Sequence, residues 1–175
     1  MKSFDINEAI QVLESTPEVL TVLLSNLPES WTDAREGPET WSPFDILGHL
    51  IHGEKTDWIP RARIILEEGT SRPFPPFDRE AQFKDSKGKS LSMLLDEFEQ
   101  LRKENIDFLK RQELTDADYA KTGLHPDLGE VTLQQLLSTW VVHDLSHLRQ
   151  ISRVLAKQYK AEIGPWEKYL PVVQE

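Results

Sequence analysis

Residues 132–160 hold the longest helical pattern in the chain, and two metal-competent side chains sit inside it. Thr132-Leu-Gln-Gln135 reads as a capping box that starts a helix running to about Lys160. Leu137, Val141, Leu145, Leu148 and Leu155 then form one apolar stripe. Beside it runs a second row: Leu136, Trp140, His143, His147, Ile151 and Val154. His143 and His147 therefore occupy positions whose helical neighbours are core residues. A spacing of four stacks their imidazoles on one face, with Cβ atoms about 5–6 Å apart.

Three further helices are predicted. Ile10, Leu13, Leu20, Leu23 and Leu24 recur at helical spacing over about 6–26, with Thr16, Pro17 and Glu18 read as a restart of the helix. Ser42-Pro43-Phe44-Asp45 opens the second helix, whose stripe reaches Ile65, and Pro60 is expected to kink it. The third opens after Ser90 and extends to about residue 112. Residues 69–89 are rich in proline and glycine and form no periodic pattern. Twenty-odd extended residues span well over ~40 Å, enough for a crossover that leaves helices two and three parallel. Phe74, Phe77 and Phe83 are expected to pack that crossover on the bundle. Residues 113–131 hold Gly123, Pro126 and Gly129 and suit a small hairpin. The fold class expected is all-α, a four-helix bundle forming one domain over 1–175.

Composition narrows the chemistry. The chain has 175 residues and no cysteine, which excludes disulfides, thiolate metal sites, iron–sulfur clusters and a catalytic thiol. A net charge of −10, with no Lys/Arg cluster, argues against nucleic acid or an anionic membrane as partner. No apolar run is long enough to span a bilayer, and no signal peptide is expected. These readings suit a cytoplasmic protein acting on a small molecule. The sequence leaves oligomeric state open, and base rates for soluble proteins allow a homodimer.

A buried imidazole without partners costs about 1–3 kcal/mol, so two in one row demand hydrogen bonds, water or a metal. For the pair alone, satisfied core histidines are the better explanation. His49 changes that balance. It lies on the second helix between Gly48 and Gly53, two poor helix formers that leave space for a neighbouring helix or a ligand. His52 reads as a surface or supporting group, and His125, in the turn, is given no role.

Trp41-Ser-Pro43, Gly48-His49-Leu50 and His143-Asp-Leu-Ser-His147-Leu-Arg-Gln150 together resemble the DinB-like superfamily of metal-binding four-helix bundles. The Thr122-Gly-Leu-His-Pro126-Asp-Leu-Gly129 turn fits the same pattern, so the resemblance spans nearly the whole chain. It implies a divalent metal (zinc, nickel or iron) on His49, His143 and His147, and the parallel arrangement of helices two and three. It also implies a hydrolase, a thiol-dependent S-transferase or a stress-response protein as the functional type.

Three neutral imidazoles leave a 2+ charge and an open coordination position, which activates water or the thiol of a low-molecular-weight cofactor. Hydrolysis needs a carboxylate nearby; thiol transfer needs an anion-binding rim and room for two substrates. Glu54, about 140° round the helix from His49, is the candidate general base, with Asp57 on the same helix. Gln150, three residues past His147, is placed to hydrogen-bond an imidazole N–H from outside the ligand set. Asp144 is read as a surface or inter-helix group. Trp58 and Trp140 are read as core, with Trp140 the one able to wall the cavity. A non-catalytic bundle stiffened by the ion, and a metal-free bundle, remain the alternatives.

Overall fold

The computed structural model describes residues 3–174. Asp5 caps α1 (Ile6–Leu24) by accepting from the amides of Asn7 and Glu8. The expected restart at Thr16 does not occur. Thr16 turns its hydroxyl back to the Val12 carbonyl, and Pro17 lies inside one continuous helix. Proline has no N–H for the Leu13 carbonyl four residues back. Arg102 of a later helix supplies the missing donor, Nη1 to oxygen at 2.7 Å.

A single turn, α2 (Glu29–Thr32), precedes α3 (Pro43–Thr56), whose capping box joins Ser42 and Asp45 in both directions. The helix then breaks at Asp57 (φ −108°, ψ −71°) and resumes as α4 (Trp58–Glu67). The kink expected at Pro60 therefore falls three residues earlier. A proline ring collides with the carbonyl four residues before it, here that of Thr56, so the disruption lies upstream and Pro60 occupies the first turn of a new helix.

The crossover contains a short helix, α5 (Ala81–Asp85), that the absence of periodicity had concealed. It seats on α3 at Gly48, where a Cβ would lie 2.5 Å from Ser86 Oγ. Ser90 caps α6 (Leu91–Arg111), and a turn, α7 (Asp116–Tyr119), leads into the hairpin. Strands β1 (Thr122–His125) and β2 (Gly129–Thr132) pair antiparallel, Thr122 opposite Thr132. Thr132 and Gln135 then cap α8 (Leu133–Lys157) as expected.

Two apolar clusters show how the long helices run. One collects Ile10 and Leu13 of α1, Trp58 to Ile65 of α4, Ile106 and Leu109 of α6, and Leu133 to Trp140 of α8. The other collects Leu20 and Leu24, Ile46 to Ile51 of α3, Leu94 to Phe98, and Ile151 and Leu155. The chain thus travels along α1, returns along α3–α4, crosses over to repeat that direction in α6, and comes back along α8. The bundle is up–down–down–up, with α3–α4 parallel to α6.

The crossover is fastened to the hairpin. The Phe74 amide donates to the Leu124 carbonyl at 2.9 Å, and the Phe74 ring is buried. Gly123 permits this approach, since a Cβ there would lie 2.7 Å from both Ile65 and Phe74. Phe77 packs on the rings of His49 and His52. Phe83 does not join them, being 45% exposed. Leu145, counted in the apolar stripe of α8, is half exposed as well.

Candidate metal centre

α3 and α8 run antiparallel and bring His49 against His143 and His147. The Nε2 atoms of His49 and His147 each lie 3.1 Å from Nε2 of His143, and one nitrogen from each ring falls within 4.8 Å of the others. Metal–nitrogen bonds of about 2.0–2.1 Å set the edges of a tetrahedral site at roughly 3.3 Å, so the spacing fits one ion.

The protonation chemistry fits too. Burial, reinforced by His147, lowers His49 and His143 to about 3, and burial lowers His147 as well. All three rings are therefore neutral near pH 7, the form that offers a lone pair. Gln150 Oε1 lies 2.9 Å from His147 Nδ1, an acceptor that keeps the proton on Nδ1 and leaves Nε2 facing inward. Gln150 thus meets the ring it was expected to meet. Nδ1 of His49 and of His143 are buried without a partner among the described residues.

Aromatic rings wall the cluster. Trp41 lies 4.8 Å from the His49 ring, Trp58 packs edge-on to His143 at 5.0 Å, and Phe77 meets His49 at 5.4 Å. The histidines open into a cavity of about 560 Å³, closed by the crossover on one side and the hairpin tip on the other. Its polar lining includes Asp57, Arg61, Arg79, His125 and Asp127. Asp57 Oδ1 and Arg61 Nε are 2.5 Å apart, a close ion pair without a well-aligned hydrogen bond. Burial pushes the Asp57 carboxyl above its usual range, with Arg61 opposing. His125 lies at the hairpin tip, its Nδ1 accepting from the amides of Asp127 and Leu128.

Glu54 is elsewhere. It is 2% exposed and absent from the cavity wall. Its Oε1 accepts from Arg102 Nη2 at 2.8 Å and from Trp140 Nε1 at 3.1 Å, and its Oε2 accepts from Asn105 at 2.9 Å. A carboxylate with both oxygens occupied and no path to the cavity is structural, so the expectation of a general base is corrected. Asp144 is fully buried between helices, not on the surface, and grips Arg102 through both its oxygens at 2.6 and 3.1 Å. Burial disfavours the Arg102 charge, yet Glu54 and Asp144 outweigh it and hold the guanidinium protonated. Trp140 belongs to this cluster and stacks on Trp58 at 5.8 Å, so Trp41 and Trp58, not Trp140, wall the cavity. His52 sits beside the site against Phe77, 3.9 Å from Asp85.

A family model described as the DinB superfamily matches residues 12–151. The chain belongs to the DinB superfamily. Among known relatives, a Bacillus cereus protein named "Putative metal-dependent hydrolase" is 28% identical over 152 residues, covering 84% of this chain and 83% of its own. A Bacillus anthracis protein of the same name matches equally. Among solved structures, YfiT from Bacillus subtilis, titled "a probable metal-dependent hydrolase with an unusual four-helix bundle topology", superposes with a TM-score of 0.77 at 26% identity. It covers 90% of this chain and 91% of its own. The four-helix bundle protein TT2238 shares the fold, with a TM-score of 0.55 at 19% identity over 83% of this chain and 97% of its own. No helix among the described residues is long and apolar enough to cross a membrane.

Asp57 and Arg61 had no sequence signal as cavity residues, because the helix break that turns them inward was placed at Pro60. Arg102 gave none either: it is one cation in a charged stretch of α6, and only the arrival of Glu54 and Asp144 makes it distinctive.

Proposed function

We propose that the chain is a single-domain, metal-dependent hydrolase of the DinB type acting on a small molecule in the cavity between crossover and hairpin. The observation that carries the reading is the meeting of three neutral Nε2 atoms at the inner end of that cavity. His49, His143 and His147 would hold one divalent ion, zinc, nickel or iron. Bound by three neutral imidazoles, such an ion supplies a Lewis acid that brings the pKa of a coordinated water or thiol towards about 7.

The chain's own residues have separable tasks. Gln150 holds the His147 ring in the tautomer that points Nε2 inward. Trp41, Trp58 and Phe77 exclude bulk water. Asp57 is the more buried of the two carboxylates on the cavity wall. Arg61 occupies its Oδ1, while Oδ2 takes no hydrogen bond from the described residues and is the atom suited to receive a proton. A carboxylate on the wall of the cavity that the three histidines open into favours hydrolysis over sulfur transfer. The thiol-transferase reading keeps one support, a cavity large enough for a small thiol beside a substrate.

The test compares zinc-loaded protein with its Asp57→Asn variant on activated esters and amides, with and without added thiol. Hydrolysis without thiol, falling about 100-fold or more in kcat in the variant while metal content holds, supports the reading. Turnover that requires thiol moves the chain to the transferases.

A further inference from the structure

We infer that the cavity is built for a small molecule carrying an oxyanion group, carboxylate or phosphate, received by Arg61 and Arg79. The inference rests on reading the cavity as the substrate chamber, and it is independent of which bond is cleaved there.

Arg61 is the central observation. Its side chain is only 7% exposed, yet it lines the cavity. It is held from behind: Nε faces Asp57 Oδ1, and the guanidinium lies 5.3 Å from the centre of the Phe74 ring. The terminal nitrogens are poorly used. Nη2 reaches only the Pro75 carbonyl, at 3.4 Å, and Nη1 makes no hydrogen bond within the described residues. A guanidinium fixed by its Nε edge and open at its Nη edge presents a fork that matches the two oxygens of a carboxylate or phosphate.

Arg79 gives independent support. It lines the same cavity from the crossover and makes no ion pair or hydrogen bond with the described residues. The protein as a whole carries a charge of −10, so a cavity with two arginines against two aspartates (Asp57 and Asp127) stands apart from its surface. The three histidines bring no negative charge. A divalent ion held by them would therefore add to the attraction for an anion instead of being neutralised by its own ligands.

Calorimetry with benzoate, phenyl phosphate and the neutral benzamide tests this, on EDTA-treated and on zinc-loaded protein. In metal-free protein both anions are expected to bind at least about tenfold more tightly than benzamide, and to weaken as salt rises from ~0.05 to ~0.3 M. Which anion binds more tightly distinguishes carboxylate from phosphate. Arg79→Gln, on an exposed residue that does not support the fold, is expected to lower anion affinity about threefold or more, and Arg61→Gln about tenfold or more. Arg63→Gln, an equal loss of charge outside the cavity, leaves affinity unchanged. Benzamide binding as tightly as benzoate, or an Arg79→Gln variant with wild-type anion affinity, overturns the inference. Zinc stoichiometry measured on the same samples tells that failure apart from a failure of the metal site.

Discussion

Asp144 follows His143 directly on α8, and the two serve different partners: His143 meets His49 and His147, while Asp144 takes two hydrogen bonds from buried Arg102. Arg102 also reaches Glu54 on α3, the helix that carries His49. The two helices that present the histidines are thus pinned to α6 and to the Leu13 carbonyl of α1 by one guanidinium. Removing it leaves two buried carboxylates facing each other. Arg102→Ala is expected to cost about 3–5 kcal/mol in urea unfolding, and Arg102→Lys, which lacks the planar fork, to recover little of it.

Metal stoichiometry is the direct check on the three histidines. Protein purified without chelator is expected to carry about one divalent ion per chain by elemental analysis. His143→Ala and His147→Ala are each expected to lose it while keeping the helical circular dichroism spectrum, since neither ring belongs to the apolar clusters. A folded variant that retains a full equivalent of ion would remove its histidine from the ligand set.

Gln150 acts on the ion only through His147. Its replacement by alanine frees the ring to flip and to change tautomer, with an expected loss of about 10–100-fold in zinc affinity by competition with a chromophoric chelator. Gln150→Glu keeps an acceptor at the same place and should restore most of the binding.

Acid stability should depend on Glu36. Hydrogen bonds from Arg153, opposed by burial and aided by Lys157, lower its carboxyl to about 2 from an ordinary value near 4.5. A carboxylate whose folded pKa is depressed stabilises fully above its unfolded pKa, and that contribution disappears as pH falls from about 4.5 towards 2. Melting temperature should drop through that window in the wild type and less steeply in Glu36→Gln. The variant is expected to be weaker by about 1–3 kcal/mol at neutral pH.

Glu54 and Asp57, three residues apart, should differ in their effect on turnover. Glu54→Gln disturbs the Arg102 cluster and is expected to lower stability by roughly 1–3 kcal/mol with kcat kept in the folded protein, while Asp57→Asn, which weakens the buried pair with Arg61, is expected to lower stability by a comparable amount and kcat by about 100-fold. A thermal melt and an ester assay on both variants separate the two roles.

Much of this was written in the sequence where local rules and tertiary need agree. The caps at Ser42, Ser90 and Thr132 start their helices where hydroxyl and side-chain geometry said they would. His49, His143 and His147 converge because helical spacing and core neighbours already placed them inward. The failures came where tertiary contacts decide. Pro17 is tolerated in mid-helix because Arg102, 85 positions away in sequence, offers a donor, which no window on α1 reveals. Glu54 reads as a base from its own helix because the partners that fix it lie on α6 and α8. The crossover hid α5, a helix of five residues supported by its seat on α3 at Gly48.

The crossing of α3 and α8 has one more outcome. His49 and His143 are 94 positions apart, a stretch that takes in the crossover, all of α6 and the hairpin. A single ion gripped at both ends would act as a clasp on more than half of the polypeptide, restricting the unfolded chain as a covalent cross-link does. Withdrawing the ion would then loosen the molecule far from the histidines, so the tightness with which metal is retained and the resistance of the chain to unravelling should rise and fall together.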